Sequence, residues 1–96
     1  MILHTVKSSP FQTLALHNCL NLLAEADTLL LIEDAVIACC VEHNNYQRLQ
    51  KLSQQGRLMV LSADLEARAV NNNIGKTCSY PDFVNLVIKH KSQLSW

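Results

Sequence analysis

The chain has 96 residues, 49% of them hydrophobic, and its eight Lys and Arg balance eight Asp and Glu. A chain of this length makes one small domain, residues 1–96, which buries only about 60–65% of the surface its unfolded form exposes. With a mean hydropathy of +0.08, some of its apolar surface is expected to be covered by another subunit. No Lys/Arg cluster is present, so direct nucleic-acid binding is not expected. The opening residues Met1 to Pro10 lack a basic segment followed by a long apolar one, and apolar runs such as Leu29 to Ile32 are far too short for a membrane span. A cytoplasmic protein is expected, with no membrane contact, and with Cys19, Cys39, Cys40 and Cys78 as reduced thiols.

In chain order, Ile2 to Val6 opens as a continuous apolar run, the pattern of a parallel strand covered on both faces. Between Gln12 and Glu25, Leu16, Cys19, Leu20 and Leu23 form an i, i+3, i+4, i+7 stripe that predicts a helix. Thr28 to Ile32 is a second strand, and Asp34 is placed to cap a helix over residues 35–42. Tyr46, Leu49 and Leu52 mark the next helix, with Gly56 at its C-terminal end. Arg57 to Leu61 is a third strand, after which Ser62 is expected to cap a short helix carrying Asp64 and Glu66 in its first turn. Asn71-Asn72-Asn73 and Gly75 make a break, and a short strand falls near Lys76 to Ser79. Ser79 and Asp82 have capping-box spacing around Pro81 and open a last helix with Phe83, Leu86, Val87 and His90 on one side.

This alternation predicts an α/β fold: a small, mainly parallel sheet of four to five strands with helices on both faces. Functional groups in such sheets gather at the carboxyl ends of the strands, here Lys7-Ser8-Ser9, Glu33-Asp34 and Ser62-Ala63-Asp64. With only Gly56 and Gly75 in the chain, a glycine-rich phosphate loop is excluded, and no nucleotide cofactor is expected. Cys39, Cys40 and His43 invite a metal or redox reading. On a helix, however, adjacent thiols diverge by about 100° and share no target. Either thiol together with His43 supplies only two ligands, and a structural zinc needs four, so no metal is expected. The pair reads instead as small apolar packing. Cys19 lies on the leucine stripe, which places it in the core. Cys78 precedes a helix start, where amide donors favour a thiolate. His4 reads as a core histidine and His17 as a solvated one.

Four segments together resemble the TusB/DsrH family of sulfur-relay subunits. They are Leu3-His4-Thr5 with Ser9-Pro10; Leu29-Leu30-Leu31-Ile32-Glu33-Asp34; Leu61-Ser62-Ala63-Asp64-Leu65-Glu66-Ala67-Arg68; and the tail Asp82-Phe83-Val84, Lys89-His90, Ser92-Gln93-Leu94-Ser95-Trp96. The resemblance implies a DsrE/F/H-like fold and a subunit that is not itself an enzyme. It also implies a heterohexamer with TusC-like and TusD-like sister subunits that passes persulfide sulfur toward 2-thiolation of tRNA wobble uridine. Ser9-Pro10-Phe11 followed by Cys19-Leu20 is similar to DsrH-type members that carry a cysteine on the first helix. That makes Cys19 the candidate sulfur acceptor, and a DsrH-like role in sulfur oxidation the alternative. Cys39 and Cys40 match no family motif, Ala69 replaces a frequent glycine, and the segment 71–79 is short for the family. A thiol enzyme or persulfide carrier acting alone, and a structural homo-oligomer formed by self-association of the isolated subunit, are the remaining alternatives.

Overall fold

A computed structural model describes residues 1–96. Five strands, β1 (Ile2–Val6), β2 (Thr28–Leu31), β3 (Leu58–Leu61), β4 (Lys76–Cys78) and β5 (Ser92–Ser95), form one sheet in the order β4-β3-β2-β1-β5. Every pairing is parallel, with His4 opposite Leu29 and Leu94, Leu30 opposite Met59, and Leu61 opposite Cys78. The helices are α1 (Ala15–Leu22), α2 (Tyr46–Gln54), α3 (Ser62–Ala67) and α4 (Tyr80–Lys89), with a 3₁₀ segment at Glu33–Cys39. The α/β expectation and its parallel sheet hold.

The topology follows from handedness. The first three crossovers step one strand at a time in one direction, and right-handed connections then place their helices on one side of the sheet. On that side Val6, Leu29, Leu31, Leu58 and Val60 pack with Leu16, Cys19 and Leu20 of α1, Leu49 and Leu52 of α2, the 3₁₀ segment and Leu65 of α3. The last crossover returns from one edge of the sheet to the other, so the same handedness throws α4 onto the opposite face. There Leu3, Leu30 and Cys78 meet only Phe83, Leu86 and Val87 of that helix, with Ile32 and Met59.

Local signals fare unequally. The capping box of α4 forms as expected: Asp82 N–H donates to Ser79 Oγ, and Ser79 N–H to the Asp82 carboxylate. Gly56 takes φ +72° after the end of α2. Gly75 takes φ +83°, and a Cβ there would lie 3.0 Å from a Val60 methyl, so only glycine lets the chain press onto β3 before β4 begins. Ser62 does not cap α3; its hydroxyl donates across to Cys78 O and ties β3 to β4. Asp34 does not cap a helix either, and no α-helix runs over residues 35–42. The 3₁₀ segment stops at Cys39 because the carbonyls that would extend it are taken. Cys39 O accepts from the N–H groups of Asn73 and Ile74, and Cys40 O from Asn73 Nδ2. β5 is the element that residue pattern missed: its four residues are polar or exposed, and the strand is held by its pairing to β1.

One buried carboxylate fastens the first strand. Asp27 is 3% exposed and accepts from Ile2 N–H at 2.9 Å, Ala24 N–H at 3.0 Å and His4 Nε2 at 2.9 Å. His4 Nδ1 in turn accepts from Trp96 Nε1 at 3.1 Å, which fixes the neutral tautomer with its proton on Nε2, and the two rings stack at 6.2 Å. His4 is thus a satisfied core histidine, as expected. Burial pushes the Asp27 carboxyl up, but its three donors outweigh burial and hold it below its ordinary 3.8. A lowered folded-state value stabilises the fold above the unfolded value, and that stability is lost as pH falls through the folded one. Asp27→Asn is therefore expected to cost roughly 2–4 kcal/mol in a urea titration at neutral pH. The wild-type chain should lose stability below pH 3.8, and the variant should lack that contribution to the acid limb.

Candidate functional site

The sheet's carboxyl ends gather the side chains that sequence singled out, though not as a catalytic set. Glu33, leaving β2, sits in the left-handed region at φ +49°, and its N–H donates to Asp64 Oδ2 at 2.7 Å. Arg68 bridges the two strand exits. Its Nη2 and Nε lie 2.9 and 3.1 Å from Asp34 Oδ1, and its Nη1 lies 3.5 Å from Asp64 Oδ1. Glu33-Asp34 and Ser62-Ala63-Asp64 thus come together, with Arg68 as the residue that sequence reasoning missed. The two aspartates are spent on Arg68 and a backbone amide, so the cluster sets the tight turn into the 3₁₀ segment. The exit of β1, Lys7-Ser8-Ser9, is not part of it.

That exit instead borders a cleft of about 590 Å³, lined by Pro10, Phe11, Thr13, Leu14 and His17 on one side and His43, Asn44 and Asn45 on the other. Phe11 and Tyr46 each meet the His43 ring edge-on, at 6.2 and 5.8 Å. His43 Nε2 donates to Ala38 O at 2.8 Å, and its Nδ1 accepts from Asn45 N–H at 3.2 Å. Both ring nitrogens are committed, which removes His43 as a ligand partner for Cys39 or Cys40. His17 is exposed, with Nδ1 3.4 Å from Asn45 Nδ2. None of the lining residues is a cysteine. Nowhere do three or more His, Cys, Asp or Glu side chains converge in a metal-holding arrangement.

The four thiols are free and separate. Cys19 is 0% exposed on the sheet-facing side of α1, and burial, reinforced by the Asp27 charge, pushes it up to about 12. Cys39 is equally buried and is raised to about 12, by burial first and by Cys40 second. Cys40 is half-buried and donates to Val36 O at 3.4 Å; burial raises it as well. The adjacent pair sits in a 3₁₀ turn rather than an α-helix, with Cys39 fully buried and Cys40, just past its end, half-buried against the same core. Cys78 is 1% exposed at the edge of a second cleft of about 260 Å³ that includes Lys76 and Lys89. Burial and Asp82 raise it against the pull of Lys76. A thiol near 12 is ionised to only about one part in 10⁵ at neutral pH, and it is the thiolate that attacks.

A five-stranded parallel sheet whose last helix crosses back to the opposite face, with three of its four thiols buried, defines a small α/β domain. The family model described as "DsrH like protein" matches residues 8–93, nearly the whole chain, and the chain belongs to that family. Curated relatives extend the match over their full length. The chain is 35% identical to Protein TusB of Cronobacter sakazakii, 38% to Protein TusB of Escherichia coli and 39% to Protein TusB of Escherichia fergusonii. Each alignment covers 99% of this chain and 100% of the relative.

Burial orders the thiols by reactivity. A chromogenic disulfide reagent is expected to modify Cys40 first in the native protein, and Cys19 and Cys39 only at the rate of unfolding. Raised folded values also mean stability that is complete below pH 9.0 and lost as pH climbs toward about 12. An alkaline unfolding limb that Cys19→Ala leaves unshifted would contradict this account of Cys19.

Proposed function

We propose that this chain is the non-catalytic, TusB-like subunit of a sulfur-relay complex, working beside TusC-like and TusD-like sister subunits in a heterohexamer. The observation that carries the reading is the full-length kinship with proteins named TusB, in a chain whose expected acceptor thiol is sealed. Relay of persulfide sulfur needs an accessible thiolate, and Cys19 offers neither access nor charge. Such a chain contributes surface, and a sister subunit supplies the reactive cysteine. The name of the relatives favours the branch that leads to 2-thiolation of tRNA wobble uridine over the sulfur-oxidation branch. The balanced charge fits a subunit that leaves tRNA contact to others. No helix is long and apolar enough to cross a membrane, which agrees with a cytoplasmic role.

The second reading has Cys19 take up sulfur. It rests on the match of Ser9-Pro10-Phe11 and Cys19-Leu20 to DsrH-type members, and it requires α1 to lift from the sheet at an interface. Co-expression with the two sister subunits decides the first reading: the three chains are expected to elute as one complex, and strictly separate elution would sink it. Incubation with a persulfide donor, followed by intact-mass measurement, decides the second. No gain of one sulfur on Cys19 is expected, and a gain that Cys19→Ser removes would establish the acceptor role.

A further inference from the structure

The two buried histidines, His4 and His90, are wired differently. His90 Nε2 lies 3.0 Å from the Thr28 hydroxyl, which can rotate and accept as readily as it donates. A second proton on His90 therefore costs it no partner. His4 has no such freedom. Its Nε2 proton goes to Asp27 Oδ2 at 2.9 Å, and its Nδ1 accepts at 3.1 Å from the indole N–H of Trp96, a group that can only donate. A second proton on His4 sets two donors against each other in a site that is 1% exposed, where water cannot take over. His43 Nδ1 also faces an N–H, that of Asn45, but His43 is half-buried and lines an open cleft that water can enter.

We propose that His4 and Trp96 form a proton-sensitive latch, which holds β5 on the sheet at neutral pH and releases it when His4 takes a second proton. All four residues of β5 are exposed, so beyond its ladder with β1 the strand depends on Trp96, which is half-buried against the core. The groups around the imidazole decide which partner it gives up. Asp27 is the carboxylate paired with the ring, and it is held below its ordinary 3.8, so it stays ionised and stabilises the imidazolium. Arg57, which donates to the Asp27 carbonyl, is the nearby cation that opposes it. The Cys19 thiol of α1 is pushed up to about 12 and stays neutral. On the flanking strands, the residues opposite His4 are the uncharged Leu29 and Leu94. The charged ring thus keeps Asp27 and sheds the Trp96 N–H. The ladder of β4, β3, β2 and β1 stays intact, and the outer edge of β1 is uncovered.

The inference does not rest on the sulfur-relay reading, and the isolated chain tests it. Trp96 is the only tryptophan, so its emission reports the latch directly. Between about pH 8 and pH 5, where histidine titrates, the emission maximum is expected to move to the red in one reversible step. The β5 amides should exchange several-fold faster after the step, corrected for the intrinsic rate, while the helical circular dichroism is kept. His17→Gln, at an exposed histidine, should leave the step in place, and His4→Gln should abolish it. Trp96→Phe probes the same coupling without touching the His4–Asp27 pair. With the opposing N–H gone, ring nitrogen shifts should show His4 taking its second proton about half a pH unit or more higher than in the wild type. A flat emission maximum, a step that survives His4→Gln, or a His4 transition that Trp96→Phe leaves unmoved overturns the proposal. So does a red shift that coincides with loss of the helical signal, because the whole chain is then unfolding.

Discussion

The fold hangs on the Asp27 carboxylate. It receives the first N–H of β1, the Ala24 N–H of the turn before β2, and the His4 proton. Arg57, at the foot of β3, donates to the Asp27 and Ala24 carbonyls, so three strand starts are pinned at one point. Through His4 the network reaches Trp96, which anchors the edge strand β5 to β1. A buried charge is costly unless every lone pair finds a donor. Asp27 has three, and the satisfied network converts that cost into a fixed register for the amino ends of the sheet.

Handedness does the rest. Three steps in one direction and one return leave one face of the sheet covered by three helices and the 3₁₀ segment, and the other face covered by α4 alone. The return crossover ties the two ends of the chain together. His90, closing α4, donates from Nδ1 to Leu86 O and accepts from the Thr28 hydroxyl at the start of β2. One consequence is that Cys19 and Cys39 pack on one side of the sheet and Cys78 on the other, beneath α4.

The cysteines show how composition and context part ways. Four thiols in 96 residues suggest reactivity, yet three are essentially sealed, and burial raises all four away from the thiolate. The helical stripe already placed Cys19 in the core, while the family likeness pointed to it as an acceptor. Periodicity described its burial correctly because a stripe reports packing directly. The acceptor role came from the likeness alone, which says nothing of how a side chain packs.

Continuous apolar runs revealed β1, β2 and β3, helical periodicity revealed α1, α2 and α4, and capping-box spacing marked the start of α4. Each of these is a local pattern that burial or hydrogen bonding enforces on neighbouring residues. Tertiary structure alone decided the rest. Ser62 and Asp34 have good capping chemistry, but Ser62 reaches a neighbouring strand and Asp34 reaches Arg68, because partners distant in sequence offered better contacts. The 3₁₀ segment ends where Asn73 and Ile74 take its carbonyls, and β5 exists because β1 had an open edge, not because Ser92 to Ser95 favours a strand. Asp27 carried no signal at all. An aspartate before a strand reads as a turn residue until folding brings Ile2, Ala24 and His4 around it.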